Sequence, residues 1–208
     1  MIFEQIPVGH MQNFSYIIGD ELSKEAAVVD PAWEVDKILK IAKKHDLDIK
    51  KILITHTDFD HIEGVKKLFG VTGAAIYVHK NGKESIQAMG LGIIELVDEG
   101  SLVKVGKINI SVLYMPGHNS SHVCYLIGND MLITGDVLFV EGCGRIDLPT
   151  SDIKNQFQSL QRIKAMDDNI EIYPGHDYGS APHSTIRQEK ESNPYLKFRN
   201  FEEFAGFR

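Results

Sequence analysis

The stretch Thr55-His56-Thr57-Asp58-Phe59-Asp60-His61 decides how this chain is read. It follows the apolar run Ile52-Leu53-Ile54, which reads as the end of a strand. Beyond it, Ile62, Val65, Leu68 and Phe69 recur at helical spacing. Alternate side chains of an extended segment share a face, so His56 and Asp58 point to one side. Asp60 and His61 then open the next helix. His56, Asp58, Asp60 and His61 make a dense cluster of metal-binding side chains. Asp60 with Glu63 also fits a capping box, so Asp60 by itself is open to both readings.

Three later strand ends carry residues of the same kind. They are Pro116-Gly117-His118, Thr134-Gly135-Asp136 and Pro174-Gly175-His176-Asp177. In each, a glycine lets the backbone fold closely, and the next side chain projects from the strand end. Gly142-Cys143-Gly144-Arg145 offers no obvious ligand and reads as a wall of the same site. One Gly-His after a strand is an ordinary turn. The ordered series predicts a metal site made of His56, Asp58, Asp60, His61, His118, Asp136 and His176. His122, four residues past His118, is a candidate for a supporting role. His10, His45, His79 and His183 lie in turns or polar stretches and read as exposed. Cys143 has no base paired with it and reads as a loop thiol, and Trp33 as a packing residue.

Elsewhere, strands are expected over 2–7, 13–18, 26–29, 51–55, 75–78, 101–105, 108–114, 122–127, 131–134 and 170–173. Helices are expected over 34–44, 62–69, 80–88, 152–165 and 184–191, with a helical tail after Pro194. Gly106-Lys107 and Gly128-Asn129-Asp130 read as hairpin turns. No linker or low-complexity segment interrupts the pattern. It predicts sheets covered by helices, in one domain over 1–208 with a short C-terminal helical tail.

The 208 residues have an ordinary balance, 43% hydrophobic and 25% charged. A chain of this length buries about 70% of its unfolded surface, so a metal is not needed merely to fold it and is expected to be functional. The formal charge of −7 argues against nucleic-acid and anionic-membrane binding. Cys124 and Cys143 form no CxxC pair and read as reduced thiols. Residues 1–8 lack the basic and apolar regions of a signal peptide, and no stretch approaches the ~18 apolar residues of a membrane span. A cytoplasmic protein is expected.

The sequence resembles the metallo-β-lactamase superfamily, whose signature is HxHxDH followed by His, Asp and His at later strand ends. The likeness runs through nearly the whole chain. It is closer to the hydroxyacylglutathione hydrolase (glyoxalase II-like) and persulfide dioxygenase branch. Asn13-Phe14-Ser15-Tyr16, Ala27-Val28-Val29-Asp30-Pro31, Gly135-Asp136-Val137-Leu138-Phe139 and Tyr173-Pro174-Gly175-His176-Asp177-Tyr178 carry it. So do Gly142-Cys143-Gly144-Arg145 and the run from Ser184-Thr185-Ile186 to Asn193-Pro194.

The resemblance implies an α/β fold, a four-layer αββα sandwich with metals at one edge of its two sheets. It implies one or two divalent ions, zinc, iron or manganese. One would sit on His56, residue 58, His118 and Asp136, the other on Asp60, His61 and His176, with Asp136 bridging. The sequence departs from the signature at Asp58, where the family's second histidine stands. A carboxylate is harder than imidazole and adds a negative charge, which moves preference from zinc toward iron or manganese. Its shorter reach leaves ligation by Asp58 open.

The activity implied is hydrolysis of a thioester of the hydroxyacylglutathione type through a metal-bound hydroxide. Asp60 and Asp136 are then the catalytic carboxylates. A leaving thiol with a pKa near ~8.5 needs no strong general acid. The alternative is a mononuclear non-haem Fe(II) persulfide dioxygenase on the triad His56, His118 and Asp136. A repurposed, non-enzymatic metal-binding module is the third class. The expected partner is a small thiol-derived substrate, met by Arg145 and Tyr178, in a monomer or homodimer; Arg187 and Lys190 are candidates near the mouth that also read as a solvated helix face.

Overall fold

The computed structural model describes residues 1–207. Six strands make a first sheet in chain order: β1 (Ile2–Val8), β2 (Asn13–Gly19), β3 (Glu25–Val29), β4 (Asp48–Leu53), β5 (Ala75–His79) and β6 (Ile94–Val97). The first three pair antiparallel, and β3 to β6 run parallel. A second sheet takes β7 (Leu102–Val105), β8 (Ile108–Tyr114), β9 (Val123–Ile127), β10 (Met131–Gly135), β11 (Glu171–Pro174) and β12 (Ser184–Thr185). All its pairs are antiparallel except β10 with β11. The turns at 106–107 and 128–130 join antiparallel neighbours, as expected of hairpins.

Alternation along the strands builds the layers. Tyr16, Ile18, Val29 and Leu53 point between the sheets, toward Val112, Tyr125 and Ile133. Ile17, Val28 and Ile52 point the other way, onto α1 (Val35–Lys44) and, past the short α2 (Phe59–Ile62), onto α3 (Val65–Thr72). Ile86 of α4 (Lys83–Gln87) joins this cluster. The outer face of the second sheet, with Cys124, Leu132 and Ile172, packs on α5 (Ile153–Lys164), α6 (Ile186–Ser192) and α7 (Phe201–Gly206). Strands buried on both faces carry apolar residues at odd and even positions alike. Each fully buried Ile or Leu contributes about 1.5–3 kcal/mol. Three cores between four layers are the αββα sandwich that the resemblance implied.

Three expectations need correction. The helix expected over 62–69 is broken, because the Gly64 amide turns to donate to the Pro31 carbonyl (2.8 Å). The helix expected over 184–191 starts only at Ile186. Ser184 and Thr185 pair with β11, and the Thr185 hydroxyl caps the helix by accepting from the Gln188 amide at 3.2 Å. Strand β6 was not foreseen. It is an edge strand with Glu95 and Leu96 exposed, so its four residues show no clean alternation. Among the described residues no helix is long and apolar enough to cross a membrane.

Candidate metal centre

The ends of β4, β8, β10 and β11 meet at one edge of the sandwich. The chain leaves β4 through Ile54 and Thr55 to His56, β8 leads to His118, β10 to Asp136 and β11 to His176. The short α2 delivers Asp60 and His61. The structure brings together all seven residues named from the sequence. His118 Nε2 lies 3.1 Å from Asp58 and 3.7 Å from Asp136. His61 Nε2 lies 3.3 Å from Asp136 and 3.5 Å from Asp60, and His176 Nε2 3.3 Å from both carboxylates. The ring nitrogens of His61 and His176 are 3.2 Å apart.

Two glycines let the backbone come this close. Gly135 holds φ +49°, and a Cβ there would lie 2.6 Å from His122 Nε2. A Cβ on Gly175 would lie 2.2 Å from Asp136 Oδ1. Asp60 makes no capping box. Asp58 is the N-cap residue of α2, and the Asp60 carboxylate turns inward to accept from Asn13 Nδ2 at 3.0 Å.

The outer nitrogen of each ring is tied down. His118 Nδ1 donates to the Arg145 carbonyl (2.7 Å) and His176 Nδ1 to the Met11 carbonyl (2.8 Å). A carbonyl only accepts, so Nδ1 carries the proton and Nε2 faces the centre. His61 Nδ1 lies 3.0 Å from Asp30 Oδ2. The Thr55 hydroxyl donates to the same carboxylate at 2.5 Å and accepts from His56 Nδ1 at 2.9 Å. Asp30 thus braces two rings, and it does so at φ +46°. Such a backbone costs about 1–3 kcal/mol in a non-glycine residue and persists only where its surroundings hold it. Supports of this kind orient metal ligands.

Two more supports come from outside the cluster. The Asp136 amide donates to His122 Nε2 at 3.0 Å. Burial pushes the His122 pKa down to about 3, with His118 adding to it, so the ring stays neutral. Gln156 of α5 accepts from the His118 amide (2.9 Å) and donates to the Val137 carbonyl (2.8 Å). Sequence reasoning missed Asp30 and Gln156 as supports. An Asp-Pro after a strand looks like a turn, and a glutamine on an amphipathic helix looks solvated.

Burial, then His61, pushes His56 well below its ordinary value, so it is neutral. Burial would also lower His61, His118 and His176, but carboxylates outweigh it. Asp136 and Asp30 raise His61 well above the usual range, Asp58 and Asp136 raise His118, and Asp136 with Asp60 raises His176 to about 9. Burial would raise Asp136 and Asp60, yet the imidazoles around them hold both low. These buried carboxylates demand positive charge.

The residues fit a metal. His56 Nε2 and Asp136 Oδ1 are buried with no hydrogen-bond partner. The donors of His56, His118 and Asp136 lie within 4.8 Å of one another, as do those of Asp60, His61 and His176. An all nitrogen and oxygen set with braced rings suits one or two divalent ions such as zinc, iron or manganese. Asp58 reaches this set despite its short side chain. Its Oδ2 lies 3.7 Å from His56 Nε2, and Oδ1 accepts from Asn119 Nδ2 at 2.7 Å.

A cleft of about 740 Å³ opens over the centre. Phe59 and Tyr178 stand at its rim, 63% and 53% exposed. Tyr178 stacks on the His176 ring, centroids 4.5 Å apart. Cys143, Gly144 and Arg145 line one side. Arg187 and Lys190, expected near the mouth, are not on the cleft. They bind Asn169 and Asp168 instead, Arg187 at 3.1 Å and Lys190 at 2.5 Å. His79, expected exposed, is fully buried. It stacks on Tyr114 and faces Asp98 rather than the centre.

The sequence profile of the Metallo-beta-lactamase superfamily matches residues 8–176. The chain is 33% identical over 197 residues to the probable polyketide biosynthesis zinc-dependent hydrolase PksB of Bacillus subtilis, covering 94% of this chain and 87% of that one. It is 33% identical over 218 residues to the hydroxyacylglutathione hydrolase GloC of Haemophilus influenzae, covering 96% and 100%. The structure of ETHE1 from Myxococcus xanthus superposes with a TM-score of 0.91 at 32% identity, covering 100% of this chain and 89% of that one. With this likeness and the centre just described, the chain belongs to the metallo-beta-lactamase superfamily as one of its enzymes.

Proposed function

We propose that the protein is a metal-dependent hydrolase of small-molecule thioesters, glyoxalase II-like in its chemistry. One observation carries the reading. Two donor groups, His56–His118–Asp136 and Asp60–His61–His176, face each other across Asp136, which lies 3.3 Å from both His61 and His176. One ion would be held by His56, Asp58, His118 and Asp136, and a second by Asp60, His61, His176 and the shared Asp136. Bound there, divalent ions polarise a carbonyl and lower the pKa of water toward ~7. Asp58, Asp60 and Asp136 bring three negative charges, which two divalent ions offset better than one.

The chain's own residues do the rest. Asn13 fixes the Asp60 carboxylate, which would orient the attacking water. Asp136 is held by the His122 contact to its amide. The departing thiol needs no proton donor, since its pKa of ~8.5 makes it a good leaving group. Tyr178 and Arg145 form walls against which the substrate lies. The names of PksB and GloC, both hydrolases, support this reading.

A second reading has its own observation. His56, His118 and Asp136 form a compact two-histidine, one-carboxylate group that needs nothing from the other three residues. It would suit a mononuclear Fe(II) persulfide dioxygenase. Elemental analysis of protein purified without added metal, beside thioester and persulfide assays, separates the two. Two metals per chain and thioester cleavage without O2 support the hydrolase. One iron per chain and O2 uptake on a persulfide overturn it. In either enzyme His56→Ala abolishes turnover while circular dichroism is unchanged; a purely binding module would show no turnover to lose.

A further inference from the structure

We propose that the thiol half of the substrate is an uncharged amide chain of the pantetheine kind, not an anionic peptide such as glutathione. The proposal rests on the hydrolase reading and concerns the part of the cleft beyond the metal donors. The thioester carbonyl must lie at the floor, against the buried Asp60, Asp136 and His176. Whatever carries the sulfur then runs outward to the rim.

The rim is built for neutral chains. Its apolar surface comes from Met11, Phe59, Phe139, Leu148, Pro149 and Tyr178. Its neutral polar groups are Thr57, Ser85 and Thr150. A chain of methylenes and amides finds apolar contact and a few hydrogen-bonding groups there, the usual make-up of a small-molecule site.

Glutathione presents two carboxylates and would seek cations. Among the described residues lining the cleft, Arg145 is the single permanent cation. Its guanidinium is already held in a two-point pair with Asp147, Nε to Oδ1 at 2.6 Å and Nη2 to Oδ2 at 2.7 Å. That pair is exposed and weak, so Arg145 could trade Asp147 for a substrate carboxylate, but the exchange only replaces one contact with its equal. Among the described residues lining the cleft, no second permanent cation stands ready for the other carboxylate. The cations of α6 that might have served are turned to Asp168 and Asn169.

The test compares S-lactoylpantetheine with S-lactoylglutathione on the metal-loaded protein, and measures binding of the matching S-alkyl thioethers by calorimetry. The acyl group is constant, so only the carrier differs. We expect kcat/KM at least about ten-fold higher for the pantetheine ester, and the pantetheine thioether to bind more tightly by a similar factor, with a small salt dependence. Asp147→Asn frees Arg145. It should raise kcat/KM for the glutathione ester several-fold and leave the pantetheine ester unchanged. Equal or better use of the glutathione ester, with tighter binding of its thioether, overturns the proposal and leaves the hydrolase reading intact. Cleavage of neither ester overturns the hydrolase reading, and this proposal with it.

Discussion

Asp58 is the residue at which this chain departs from the pattern around it. Its oxygen stands 3.1 Å from His118 Nε2 and 3.7 Å from His56 Nε2, within the ring of donors. Replacing it by the family's imidazole removes one negative charge and one hard donor. Asp58→His should therefore shift metal content toward zinc and away from iron and manganese, read by elemental analysis of protein grown in one mixed-metal medium. An unchanged metal profile would mean that Asp58 does not bear on selection. Thr55 works one shell outward. Thr55→Val keeps the shape but removes the hydroxyl that links His56 Nδ1 to Asp30. Metal affinity should fall about 10–100-fold, measured by competition with a chelator, while the far-ultraviolet spectrum stays the same.

At the scale of elements, α5 is more than a cover for the second sheet. Its first turn is capped by Asp152, whose side chain accepts from the Asn155 amide at 2.7 Å. That fixes Gln156 one step later against both the His118 amide and the Val137 carbonyl. One helix so holds the loops that follow β8 and β10. Gln156→Leu is near in volume but leaves a buried amide and carbonyl unpaired, which costs about 1–3 kcal/mol. Chemical denaturation should show that loss, and turnover should fall with it, because the loops that carry His118 and Asp136 lose the side chain that joins the His118 amide to the Val137 carbonyl. Gln156→Glu, which can still accept from the His118 amide, should recover part of the turnover.

For the whole molecule, the four buried imidazoles and their carboxylates couple metal, protons and stability. In the metal-free protein, His176 is raised from 6.5 to about 9, because Asp136 and Asp60 outweigh burial. A raised folded pKa contributes stability that is full below about 6.5 and lost as pH rises through about 9. The metal-free protein should therefore lose stability across that window. Metal needs the same Nε2 without its proton, so affinity should climb across the same window as pH rises. The midpoint of thermal unfolding should then fall with pH in chelator-treated protein and rise with pH at limiting metal. Parallel slopes in the two samples would refute the assignment. Proton release on metal binding, read from calorimetry in buffers of different ionisation heat, should shrink as pH approaches about 9.

Much of this was legible along the chain. Apolar runs marked ten of the strands, near-continuous in β2 and β3, which are buried on both faces, and alternating in β7. Glycine before His118, Asp136 and His176 marked close turns, and the HxDxDH run marked the entry to α2. What adjacency cannot express is which atoms face each other across different strands. The carbonyls of Met11 and Arg145 that set the tautomers of His176 and His118 carry no side-chain signal. Asp30 and Gln156 take their roles from partners 19 to 38 residues away. His79 reads as polar but is buried by stacking on Tyr114. Residue type and local spacing, then, marked the layers and the seven candidate metal-binding residues. The protonation of those residues, the place of Asp58 among them and the neutral rim of the cleft were decided by tertiary structure alone. Each depends on distances between segments that only the packed sheets bring within reach.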